Sequence, residues 1–154
     1  LAADVRLAGP VHPLHAFLLA APVPLFLGGF LSDLAYGSTP EPQWSNFAAW
    51  LVAGGMVFVG VALLWALIAL LRSRAHGGRV RLGAVFVLLL ATFVVGLVDS
   101  LVHARDAYAI MPAAPVLSAI VTLLAALAAW AGSSRLGFWS PGPAHAQMPS
   151  GEVL

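Results

Sequence analysis

Four uninterrupted apolar segments set the limits on what this chain can fold into. They run from about Leu14 to Tyr36, Phe47 to Leu71, Leu82 to Val102 and Val116 to Gly132. Each is close to the roughly 20 residues that a helix needs to cross about 30 Å of hydrocarbon. The runs are too long for buried strands and show no alternation of period two. In lipid the backbone must satisfy its own hydrogen bonds, which leaves helices. Composition agrees: 61% of the 154 residues are apolar and 8% are charged, where a soluble domain carries about 25% charged residues. The expectation is an all-α integral membrane protein with four transmembrane helices in an up-down bundle, its first partner the lipid bilayer. A formal net charge of +1 is too small to point to nucleic acid as a partner.

The connections are short. Gly37 to Gln43 is a proline-rich turn, followed by Trp44 as an interfacial aromatic and by Ser45 and Asn46 as candidate helix caps. Ser73 to Arg81 reads as a basic hairpin with two glycines, and Ala104 to Pro115 as a loop, Pro115 opening the fourth helix. Residues 1–132 form the expected transmembrane domain; residues 133–154, rich in Pro, Gly and Ser, read as a weakly ordered tail. The first segment lacks a basic run before it and a small-x-small cleavage site after it, so it is expected to remain as a span. In an up-down arrangement Arg6, Arg72, Arg74, Arg79, Arg81 and Arg135 share one side and Arg105 alone takes the other. By the positive-inside rule both termini are expected in the cytoplasm, in a multi-pass protein of the bacterial inner membrane.

Within the spans, Pro22 and Pro24 predict a kink in the first helix, because neither can donate to the carbonyls of Leu18 and Ala20. Thr92, Gly96 and Ser100, and again Ser118, Thr122 and Ala126, recur every four positions and mark packing faces on the third and fourth helices. Ionisable residues are costly in a span, which makes them the best pointers to function. Asp99 and His103 are spaced i, i+4 near the end of the third helix and share one face. Asp33 reaches the same level from the first helix, and Arg105 and Asp106 follow at once. Two readings stand side by side: an interfacial salt-bridge network, or a polar pocket for a quinone head group, a proton or a partner protein. At the other end, His12, His15 and His76 raise haem b ligation, with His15 as the candidate iron ligand. His15 and His103 lie on the order of 30 Å apart along the bundle and cannot share one iron. Cysteine is absent, which removes thiolate metal sites and thiol nucleophiles. There is no phosphate loop, nucleophile elbow or His-Glu-x-x-His, so enzyme activity goes at most as far as a redox subunit. A small transporter ranks lower still, since no charged pair stands mid-membrane.

The opening His12-Pro-Leu-His15, followed by Ala-Phe-Leu-Leu-Ala-Ala-Pro22 and by Asp33 at the far end of that helix, resembles the bacterial "domain of unknown function 2231" family of small predicted membrane proteins. The resemblance covers about Gly9 to Gly132. Gln43-Trp-Ser-Asn-Phe47, His103-Ala-Arg-Asp106 and Met111-Pro112 are similar to one branch of that family. Its members accompany periplasmic quinoprotein sugar dehydrogenases of the sorbosone type and c-type cytochromes. One departure stands out: many members carry a His at the start of the third helix, where this chain has Arg81-Leu82-Gly83. The resemblance therefore implies an inner-membrane accessory or anchor subunit that passes electrons from a periplasmic dehydrogenase or cytochrome c to quinone. His103, Asp99, Asp33 and Arg105 would serve an outer quinone site, and His12 and His15 an inner haem. A purely structural subunit of a larger complex, with no cofactor, is the alternative.

Overall fold

The computed structural model describes residues 13–73, 76–105 and 107–133. Its helices are α1 (Pro13–Ala20), α2 (Pro22–Ser38), α3 (Pro42–Arg72), α4 (His76–His103) and α5 (Ala113–Ser133), with a 3₁₀ turn at Ala107–Ile110 between α4 and α5. Four stretches are long and apolar enough to cross a membrane: Pro13–Ser38, Pro42–Arg72, Arg79–His103 and Ala113–Ser133. The first combines α1 and α2. The two meet at Ala21, where Pro22 and Pro24 withhold two donors; Ala21 keeps helical angles (φ −58, ψ −37) and donates to the Phe17 carbonyl at 2.9 Å.

Every helix outruns the apolar run that announced it. α3 starts at Pro42 rather than Phe47, from an extended Glu41 that makes no side-chain cap bond. Proline fits the first helical position because its missing N–H has no intrahelical partner there, so Ser45 and Asn46 lie inside the helix instead of capping it. α5 likewise starts at Ala113, with Pro115 inside its first turn. The basic hairpin shrinks too, because α4 resumes at His76 and takes Gly77 and Gly78 into its first turn. Helical hydrogen bonding continues past each apolar run, into polar residues that no apolar surface marks. Ser133, read as the start of the tail, closes α5. Residues 134–154, like Arg6, Arg74 and Asp106, lie outside the described residues.

The spans pack in a square: α2 on α3, α3 on α4, α4 on α5, and α5 back on α2. Buried positions on α3 are Ala48, Val52, Gly55, Val59, Ala62 and Ala66, and on α5 Ala114, Ser118, Val121, Ala125 and Ala128. α4 buries Val85, Leu89, Thr92, Asp99, Val102 and His103, with Gly96 between them. Steps of four and three alternate, averaging 3.5, the period that keeps a seam facing its neighbours in a left-handed bundle. The strict four-residue stripes expected on α4 and α5 drift off this seam: Thr92, Gly96 and Ser118 are buried, whereas Ser100, Thr122 and Ala126 are half-buried. Ser100 and Thr122 instead bond back to the carbonyls of Gly96 (2.8 Å) and Ser118 (2.6 Å). Outside the square, Phe17, Trp50, Val57, Leu71, Leu101, Leu123 and Trp130 are exposed, the surface of a protein solvated by lipid tails.

Candidate functional site

Near one end of the square the seam turns polar. Asp33 from α2, Asp99 and His103 from α4 and Ser118 from α5 are all buried, the two aspartates and the serine completely. The placement follows from counting along the helices. Asp33 stands five residues before the end of α2, Asp99 four before the end of α4, and Ser118 five after the start of α5. A span of 26 residues is about 39 Å long against about 30 Å of hydrocarbon, so the group sits within about one turn of the apolar boundary.

The hydrogen bonds form one chain. His103 Nε2 lies 2.9 Å from Asp33 Oδ1, across the diagonal of the square. Ser118 Oγ lies 2.5 Å from Asp33 Oδ2 and 3.1 Å from Asp99 Oδ2. His103 Nδ1 lies 2.9 Å from the Asp99 backbone carbonyl. A carbonyl only accepts, so Nδ1 carries hydrogen and Nε2 is the nitrogen free to exchange a proton with Asp33. Asp99 Oδ1 is 3.2 Å from Nδ1 but receives no hydrogen bond, because the ring N–H points at the carbonyl. Breaking any link would strand a buried polar group at a cost of about 1–3 kcal/mol, more for a charged one.

An apolar plug covers the group on its outward side. Tyr36, Val102, Ile110 and Ala114 pack together there, with Met111, Ala113 and Leu117 against them. Tyr36 lies one turn beyond Asp33, and Ala114 one turn before Ser118. The main core, with Phe26, Val52, Val59, Leu89 and Val121, lies on the inward side.

Of the candidate site residues, the structure thus brings together Asp33, Asp99 and His103. Arg105 stands apart, exposed in the turn after α4, its backbone N–H bonded to the Val102 carbonyl at 3.0 Å. His15 is at the opposite end, half-buried, its ring stacked on Trp65 with centroids 5.5 Å apart. Its Nδ1 is buried without a hydrogen-bond partner. His12 and the side chain of His76 lie outside the described residues. Among the described residues no three His, Cys, Asp or Glu side chains gather as a metal site. Both His103 nitrogens are engaged, which leaves neither for iron. Ser118 is the member that sequence reasoning missed, having been read only as a small packing residue.

Residues 11–136 match the family described as "Predicted membrane protein (DUF2231)". The chain belongs to this family. No curated protein and no solved structure gave a match. In this DUF2231 member the carboxylate of Asp33 is the hub that both His103 and Ser118 contact.

Proposed function

We propose that this protein is an accessory subunit of the bacterial inner membrane that assists electron passage from a periplasmic dehydrogenase or cytochrome c to quinone, its own part being to deliver protons. One observation carries the reading: a continuous hydrogen-bonded chain, Asp99–Ser118–Asp33–His103, buried at one end of the bundle. Quinone takes up two electrons and two protons to become a quinol. The partner supplies the electrons, and a histidine beside a carboxylate supplies protons near neutral pH. The position of the group near the apolar boundary suits this role better than ion transport, which places its site at the midplane. The family resemblance supplies the partner class.

The test pairs the wild type with His103→Gln, which keeps polar contacts but cannot take up a proton. In membranes holding the protein and its periplasmic donor, reduction of ubiquinone-1 should fall by about 100-fold or more, while the variant remains inserted. Undiminished quinone reduction would leave the purely structural subunit as the function. That second reading rests on the bond from Asp33 to His103, which ties diagonal helices together.

Orientation belongs to the same proposal, because the donor is periplasmic. Arg72, Arg79 and Arg81 mark one end of the bundle and Arg105 the end with the cluster. Reporter fusions after Arg135 should read cytoplasmic and those within residues 37–43 periplasmic. The opposite pattern would place the cluster on the wrong side for such a donor.

A further inference from the structure

The cluster contains two carboxylates and one imidazole, and the single hydroxyl between the carboxylates allows their protons to be counted. Ser118 Oγ is within hydrogen-bond reach of Asp33 Oδ2 (2.5 Å) and Asp99 Oδ2 (3.1 Å). A serine hydroxyl has one hydrogen and can donate to only one of them. The other contact is a hydrogen bond only if that carboxylate oxygen carries a proton and donates to Ser118 Oγ. On the far side, His103 Nε2 meets Asp33 Oδ1 at 2.9 Å while Nδ1 is held on a carbonyl, so an imidazolium donates at both nitrogens.

The charge balance agrees. Imidazolium with two carboxylates would leave a net negative charge in a completely buried group, and an uncompensated ion there costs several kcal/mol. One further proton makes the cluster neutral. Among the described residues, the charged groups at this end do not offer that compensation: Arg105 and Glu41 are exposed, and α5 contributes only Ser118.

We propose that Asp33 and Asp99 share a single extra proton through Ser118, so that one carboxylic acid and one carboxylate exchange identities beside the His103 imidazolium. In the first arrangement Asp99 Oδ2–H donates to Ser118 Oγ, Ser118 Oγ–H donates to Asp33 Oδ2, and the Asp33 carboxylate accepts from His103. In the exchange, the Asp99 O–H bond breaks as a new Ser118 O–H forms, and the former Ser118 O–H breaks as Asp33 gains its proton. The negative charge moves to Asp99, whose Oδ1 already stands 3.2 Å from His103 Nδ1. That oxygen has no hydrogen bond in the first arrangement and acquires an ionic partner in the second. The imidazolium is flanked by both carboxylates, so neither arrangement isolates a charge. Ser118 is accordingly the relay between the two carboxylates. The inference deepens the proton-delivery reading by naming the carrier, and it rests on that reading only for its purpose.

Infrared spectroscopy of the full-length protein in nanodiscs, without quinone or donor, tests it. The wild type at neutral pH should show one protonated carboxylic acid C=O band per chain. That band should disappear in both Asp33→Asn and Asp99→Asn, because either amide can donate to Ser118 and removes the need for the shared proton. Ser118→Ala should shift the band by removing its hydrogen-bond partner, and Ser118→Thr should restore its position. Absence of the acid band from the wild type, or its survival in both Asn variants, overturns the shared proton. The wild-type measurement needs no variant to fold. A missing band with ubiquinone-1 reduction still sensitive to His103→Gln would sink this inference alone, whereas a present band with insensitive reduction would sink the redox function and leave the shared proton standing.

Discussion

Replacing Asp33 by alanine should destabilise the bundle by about 3–5 kcal/mol, the largest loss expected from any single polar residue in it. Its carboxylate accepts from both His103 Nε2 and Ser118 Oγ, and both donors are buried with it. Truncation leaves a cationic ring and a hydroxyl facing a hole in a medium where no water replaces the lost acceptor. Asp33→Asn keeps one acceptor oxygen and should cost only about 1–3 kcal/mol. The double variant Asp33→Leu with His103→Leu removes the ion pair as a whole, and should cost less than Asp33→Ala despite changing more atoms. Thermal unfolding in detergent micelles, followed by helical circular dichroism, checks the order. Asp33→Ala melting within a degree or two of the wild type would mean that the pair contributes nothing to holding the diagonal together.

That diagonal bond was partly legible in the sequence. Asp99 and His103 advertise a shared face through i, i+4 spacing, and Asp33 stands at the same depth on a helix running the same way. The choice between Asp33 and Arg105 as the partner of His103 was not legible, because it depends on where α4 stops. It stops at His103, so Arg105 swings into the turn and out of the bundle. Ser118 was legible only by counting depth: it lies as far from the start of its helix as Asp33 lies from the end of its own. A serine costs little in a span and carries no charge, so nothing in its chemistry singled it out.

The four spans were readable because length and lack of charge suffice to identify them. Their inward faces were harder to read. In a soluble helix polar residues mark the outside, but here both faces are apolar, and Val57 on the lipid side looks like Val59 on the seam. What marks the seam is small size and polarity: Gly55, Gly96, Thr92, Asp99 and Ser118 fall on positions that alternate by four and three. A search at that 3.5-residue period, rather than at strict fours, picks out Asp99 in place of Ser100 and ties the polar cluster to the packing face.

Packing at that seam gives the second large effect. Phe26 of α2 is completely buried, and its ring lies over Gly55 of α3. A methyl group built on Gly55 would meet ring atom Cε1 at 2.7 Å, closer than a real Cβ contact. The ring therefore fills a hole that exists only because Gly55 has no side chain. Lipid tails are as apolar as the core, so association of these helices gains little from hydrophobic transfer and depends on close contact. Phe26→Ala should cost about 3 kcal/mol, the low end for a buried phenylalanine, since the lost packing remains while most of the transfer contribution is absent. Gly55→Ala should cost about 1–3 kcal/mol by overpacking. With Phe26→Ala already present, however, the added methyl enters the vacated space, and Gly55→Ala should turn neutral or stabilising. Melting temperatures of the four proteins, read as a double-mutant cycle, expose that change of sign. Penalties that simply add would show that ring and glycine do not act as knob and hole.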